Sequence, residues 1–159
     1  MKNIDLKITV EHLSMDELNE EERHLVETAI AATNNSYAKY SHFHVGAALL
    51  MSDGSVIIGA NQENAVFPVG LCAERTAIFA AQAQHPELSM KMLAIAARNK
   101  EGLVRMPVSP CGSCRQVILE MEERYQQPIR ILLYGTEGVY AVRSVRDLLP
   151  LCFMDESMR

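Results

Sequence analysis

"VGAALLMSDGSVIIGAN", residues 45–61, sets two apolar runs on either side of Asp53-Gly54. Asp-Gly between two runs of strand-forming residues signals a tight hairpin, because both residues accept the left-handed backbone such turns require. Neither run alternates with polar residues, so neither strand has a face meant for water. A strand apolar on both sides is covered on both sides. The hairpin therefore belongs to the middle layer of a domain with helices above and below it.

The flanking sequence supplies those layers. Downstream, "CAERTAIFAAQAQ" (72–84) is rich in Ala and reads as a buried helix stopped by Pro86. "KMLAIAAR" (91–98) reads as a strand. "CGSCRQVILEMEERY" (111–125) reads as a helix, where Val117, Leu119 and Met121 with Glu120 and Arg124 give a mixed face. "IRILLYG" (129–135) and "VYAVRS" (139–144) read as short strands, and "VRDLLPLCF" (145–153) as a last turn. Upstream, Ser14 followed by Glu17 has the form of a capping box. It predicts a helix through about Ala38, with Leu18, Leu25, Ala29 and Ala32 on one face. In "MKNIDLKITV" (1–10), alternation of Ile4, Leu6, Ile8 and Val10 predicts a short extra strand. The order of elements predicts a single three-layer α/β domain over residues 1–159 with a mixed sheet, residues 1–13 forming an N-terminal extension of open role.

A chain of 159 residues, 48% hydrophobic, has material for one substantial core. Its formal net charge of -5 argues against a nucleic-acid partner, which calls for a basic face. No apolar run reaches membrane-spanning length, and the acids in the opening residues do not fit a secretory signal. A cytoplasmic protein is the expectation. There thiols stay reduced, so the four cysteines point to metal or catalytic roles rather than disulfides.

Cys111-x-x-Cys114 by itself fits a redox pair or half a zinc site. Its i, i+3 spacing turns both sulfurs to one side of a first helical turn, and Cys72 stands just ahead of another predicted helix. Helix N-termini favour thiolates, and thiolate sulfur selects zinc. Three thiolates leave a tetrahedral zinc one ligand short, which separates a catalytic site from a structural one, since the open position activates water. Glu74, two residues from Cys72, is placed to accept that water's proton. Three thiolates overcompensate the metal's charge, and Arg75 is placed to offset this by donating to a sulfur. The alternatives are a helix-start acid and a solvated arginine.

Taken together, C-A-E-R (72–75) and P-C-G-S-C-R-Q (110–116), with "YSHFHVGAAL" (40–49), "GANQENA" (59–65) and "DLLPLCF" (147–153), resemble the small, homotetrameric cytidine deaminases over about 38–153. The resemblance implies a three-layer α/β/α fold on a mixed five-stranded sheet and one Zn²⁺ per subunit. It implies hydrolytic deamination of cytidine and 2′-deoxycytidine to the uridine products in pyrimidine salvage. It implies Cys72, Cys111 and Cys114 as zinc ligands and Glu74 as the proton shuttle. Asn61 and Glu63 would hold the ribose hydroxyls, Phe43 would pack on the base, and Phe153 would enter a neighbouring subunit's site. Phe67 stands where the family usually has Tyr, so it would contact substrate without a hydroxyl. The implied partners are a nucleoside substrate and three further copies of the chain, with no nucleic acid and no membrane.

Other readings weigh against these. Phe43 and Phe67 are of a type more often found in cores, and Asn61–Asn64 is a composition common in turns. His42 and His44 are read as ordinary residues, since the cysteines already form a sufficient ligand set. A non-catalytic zinc domain would recruit Cys152 as fourth ligand and leave Glu74 without a task. A deaminase of RNA or DNA would need a basic stripe that the sequence lacks. A deaminase for another small nucleoside or a base-modified antibiotic is a third alternative, against which Asn61 and Glu63 favour a plain ribonucleoside.

Overall fold

The computed structural model describes residues 1–159. In chain order it contains β1 (Glu11–Leu13), α1 (Glu20–Ala32), β2 (His44–Met51), β3 (Val56–Ala60), α2 (Ala73–Gln84), β4 (Met90–Asn99), β5 (Gly102–Leu103), α3 (Gly112–Tyr125), β6 (Arg130–Gly135) and β7 (Gly138–Val142). The strands form one sheet in the order β1-β7-β6-β4-β2-β3, with the two-residue β5 added against β4. Every pairing is antiparallel except β4 with β6. The sheet thus has seven strands rather than five. The five expected strands make its body, and β1 and β5 are short additions.

The hairpin closes around Asp53-Gly54, but only Gly54 takes the left-handed backbone, at φ 89°; Asp53 does not, and residues 52–55 separate β2 from β3. Side chains alternate across a strand, so the continuous apolar run of β2 fills two cores at once. Ala47, Leu49 and Met51 enter the larger core, with Ile78 of α2 and Ile118 of α3. Ala48 and Leu50 enter the smaller one, with Leu25, Val26 and Ala29 of α1. Helices therefore cover both faces, and the three layers follow. Each Leu or Ile so buried contributes about 1.5–3 kcal/mol.

Two glycines let helices lie close on the sheet. A Cβ on Gly46 would fall 2.2 Å from the Ala29 carbonyl oxygen of α1. A Cβ on Gly59 would fall 2.3 Å from the Ala73 carbonyl oxygen of α2.

The N-terminal third departs from expectation in three places. Ser14 and Glu17 do form a capping box, but it opens only a 3₁₀ turn, Met15–Glu17. A second box, Asn19 with Glu22, starts α1. The helix ends at Ala32 rather than near Ala38. The chain leaves it so that Tyr37 can pair with the segment after β3, donating to the Asn61 carbonyl at 3.0 Å and accepting from the Glu63 amide at 2.9 Å. The strand foreseen within residues 1–10 lies instead at Glu11–Leu13. Glu11 pairs with Ala141, one residue from the end of β7, so in this register residues before Val10 run past the end of the strand. Arg130 pins this short strand, donating to Glu11 at 2.8 Å and to Glu22 at 2.6 Å.

The parallel pair positions the site. α2 leads into β4 and α3 leads into β6, and these two strands run the same way. A helix joined to a strand by a short return runs against it. The N-termini of α2 and α3 consequently meet at one end of the sheet.

Candidate metal centre and active-site cleft

Cys72 is the N-cap residue of α2 and Cys111 the N-cap residue of α3, both with extended backbones, while Cys114 sits in the first turn of α3. The Cys72 and Cys111 sulfurs are 3.8 Å apart, those of Cys111 and Cys114 3.5 Å, and all three lie within 4.8 Å of one another. A tetrahedral zinc with bonds of about 2.3 Å separates its sulfurs by about 3.8 Å. Spacing and donor chemistry both fit zinc. Cys152 is not in the group and packs against the larger core.

Charge is already distributed as a metal would want it. A hydrogen bond from the Cys114 thiol, followed by those from Arg75 and Cys111, outweighs burial and holds the Cys72 thiol near a pKa of about 5. The same bond to Cys72, with burial and the nearby Glu74 charge, pushes Cys114 up. Metal binding displaces such protons from the donor set. Arg75 donates from Nη2 to the Cys72 sulfur at 3.4 Å, which raises its own pKa.

These groups open onto a cleft of about 510 Å³, a size suited to a small-molecule ligand. Glu74 projects into it from the first turn of α2 and is only 4% exposed. Burial, and then the adjacent Cys72 charge, raises its carboxyl pKa. An acid–base group deep in a cleft, two residues from a member of a metal-ready cluster, is equipped to move protons to and from a bound molecule.

The opposite wall comes from the loops flanking β2 and β3. Asn61 is fixed by three bonds. Its Oδ1 accepts from the Ser36 hydroxyl at 2.6 Å and the Val45 amide at 2.8 Å, and its Nδ2 donates to the Phe43 carbonyl at 2.9 Å. One amide hydrogen remains for a ligand. Glu63 accepts from the Tyr40 amide at 2.7 Å and from the Ser41 hydroxyl and amide, and these bonds hold its carboxyl below the usual range. Phe43 and Phe67 both line the cleft. Phe67 is 72% exposed and meets Tyr40 edge-on at 5.6 Å between ring centroids.

The structure thus brings together Cys72, Glu74, Arg75, Cys111, Asn61, Glu63, Phe43 and Phe67 in one cleft, with the buried Cys114 sulfur within 4.8 Å of those of Cys72 and Cys111. Phe153 does not line the cleft of its own chain and is 61% exposed. His42 and His44 stand outside the sulfur cluster. Sequence reasoning missed Tyr40, Val108 and Ser109 as lining residues, and Ser36 and Ser41 as supports. Ser41 lies within a motif already singled out, whereas Ser36 and Val108 carry no signal of their own.

Comparison with known proteins agrees with this geometry. Residues 19–126 match the family model of the cytidine and deoxycytidylate deaminase zinc-binding region. The chain is 42% identical over 134 residues to a cytidine deaminase of Halalkalibacterium halodurans, covering 84% of this chain and 95% of that one. It is 38% identical over 128 residues to a cytidine deaminase of Mycobacterium tuberculosis, covering 79% and 84%. The crystal structure of cytidine deaminase from Burkholderia pseudomallei superimposes with a TM-score of 0.70 at 39% identity, covering 82% of this chain and 97% of that one.

Proposed function

Because the chain belongs to the cytidine and deoxycytidylate deaminase family of zinc hydrolases, we propose that it converts cytidine and 2′-deoxycytidine, with water, to uridine and 2′-deoxyuridine plus ammonia. The observation that carries the reading is the buried carboxylate of Glu74 in the same cleft as the three-sulfur cluster.

Cys72, Cys111 and Cys114 would hold the zinc, which supplies a Lewis acid that activates water for attack on a ring carbon. Glu74 takes a proton from the attacking water and delivers it to N3 of the pyrimidine. It takes the second proton as the C4–O bond matures and gives it to the exocyclic amine, so the C4–N bond breaks with ammonia as leaving group. One carboxylate can serve both transfers, since Glu74 lines the same cleft as Cys72 and Cys111. Arg75, bonded to Cys72, draws charge from the sulfurs and keeps the centre electrophilic.

The wall opposite orients the substrate. Asn61 and Glu63 bind the ribose hydroxyls, and their own hydrogen bonds make them rigid before substrate arrives. Phe43 and Phe67 flank the base, and Phe67 does so without a hydroxyl. A nucleoside fits better than a nucleotide, because Arg75 is the one cation lining the cleft and it is engaged with a sulfur. The outward Phe153 supports a homotetramer in which each tail completes a neighbour's site. The chain acts as a single domain in the cytoplasm, in pyrimidine salvage.

The test is the fall in ultraviolet absorbance when cytidine meets the purified protein, with and without a strong chelator. Turnover that requires zinc and exceeds turnover of free cytosine is the expected result. A zinc-loaded protein inert toward both nucleosides would refute the reading.

A further inference from the structure

The first turn and a half of α3 carries two side chains, Arg115 and Gln116, that belong neither to the sulfur cluster nor to the cleft lining. Both reach back along the molecule. Arg115 Nε donates to the carbonyl of the buried Pro110 at 2.8 Å, Nη1 to the Leu148 carbonyl at 2.7 Å, and Nη2 to the Ser109 hydroxyl at 3.1 Å. Gln116 Nε2 donates to the Phe153 carbonyl at 2.9 Å. One turn of helix therefore grips the loop that presents Cys111 and, at the same time, two points of the C-terminal segment.

Within its own chain that segment has little else to hold it. Cys152 and Met154 pack against the core, while Leu151 and Phe153 face outward, 87% and 61% exposed. Residues 150–159 make two hydrogen bonds to the rest of the chain. One is the Gln116 bond, and the other runs from Arg146 to the Met154 sulfur. Sulfur is a weak acceptor, which leaves Gln116 as the principal polar anchor.

We propose that Arg115 and Gln116 are positioning residues that set the metal-ligand loop and the Phe153 tail from a single helical turn. Arg115 locks residues 109–111 against the end of the Val145–Leu148 turn. Its planar fork reaches three acceptors in different directions, which a lysine ammonium on the same stem cannot do. Gln116 fixes where Phe153 leaves the body of the domain. The inference rests on the reading of Cys111 and Cys114 as ligands and of Phe153 as a substrate-side contact. It assigns to Arg115 and Gln116 the task of keeping those two features in register.

The experiment uses the full-length zinc-loaded protein with two variants, Gln116→Met and Arg115→Lys. Three quantities are read: chymotryptic cleavage after Leu151 and Phe153, the rate of zinc transfer to a chromogenic chelator, and KM and kcat for cytidine. Cleavage tracks the population of the detached tail. Loss of one net hydrogen bond raises that population by up to about tenfold. Gln116→Met is expected to speed cleavage by that order and to raise KM only as far as the attached fraction falls, with kcat and zinc release within about twofold of wild type. Arg115→Lys is expected to speed zinc release about tenfold and cleavage as well. Wild-type cleavage in Gln116→Met would overturn the tail assignment, and wild-type zinc release in Arg115→Lys would overturn the loop assignment. Cleavage and zinc release do not depend on turnover. A wild-type protein that fails to deaminate cytidine would therefore sink the functional reading and leave the clamp measurable.

Discussion

Replacing Gly59 by Ala tests the link between sheet packing and the site. Ordinary contact begins near 3.4 Å, yet the added methyl would stand 2.3 Å from the Ala73 carbonyl oxygen and 2.5 Å from the Ala77 amide nitrogen. Both are backbone atoms of α2, so no side chain can swing aside. Relief demands that the helix lift from β3 by about 1 Å. Overpacking of this kind costs about 1–3 kcal/mol, and at this chain length that lowers Tm by about 2–12 °C. α2 also carries Cys72 and Glu74, and a misplacement of about 1 Å at a reacting group lowers turnover on the order of a hundredfold. The matched control is Gly112→Ala. Gly112 lies between two cysteines of the cluster, but a Cβ there meets nothing within 4 Å and its φ is not in the left-handed region. As a helical glycine it should gain about 0.5–1 kcal/mol on replacement. Calorimetry with zinc analysis and kcat/KM for cytidine checks both variants. A Gly59→Ala protein with wild-type Tm and wild-type kcat/KM would refute the reasoning, as would a Gly112→Ala protein damaged to the same degree.

Glu74→Gln should keep the fold and the zinc while lowering kcat by about 10²–10⁴-fold; stoichiometric loss of zinc by atomic absorption would contradict a proton-transfer role. Cys152→Ser should retain one zinc per chain and most activity, whereas Cys72→Ser and Cys111→Ser should each release metal; the opposite pattern would favour a closed structural centre. Glu63→Ala should reduce kcat/KM for cytidine far more than it lowers Tm, because the carboxylate's partners, Tyr40 and Ser41, lie in an exposed loop. Equal effects on cytidine and cytosine would argue against a sugar contact. Phe153→Ala mixed with Glu74→Gln should give more activity than the mean of the two separately, through hybrid sites. An active wild-type monomer in sedimentation would exclude shared sites.

Most of the body of the fold was legible because its elements obey local rules. The continuous apolar run of β2 announced two covered faces, and the Ala-rich helix with Pro86 behind it announced α2. Errors arose where two local signals competed or where a partner decided the outcome. Ser14 and Asn19 both head capping boxes, and only the second is followed by a full amphipathic face. Residues 1–10 alternate like a strand, but in the observed register β7 ends opposite Val10, which leaves Ile4, Leu6 and Ile8 without a partner strand. At the site, the three cysteines announced themselves by chemistry and spacing. Asn61 and Glu63 did not, because their geometry depends on Ser36, Ser41 and Phe43, 18 to 25 residues away. Phe153 is the limiting case. Its side chain has no place in its own cleft, so only the family resemblance gave it a task.

The convergence of α2 and α3 at one end of the parallel strand pair also has a thermodynamic side. Cys72 and Cys111 are 39 residues apart along the chain, and a metal gripping both closes that segment into a ring. A comparable covalent link would remove about 4 kcal/mol of chain entropy from the denatured ensemble. α2, β4 and β5 lie inside the ring, so stripping the metal would relax the strand that aligns the whole sheet. Thermal denaturation and metal loss should consequently be one cooperative event in this protein, and the midpoint measured in a melt will move with the concentration of free zinc.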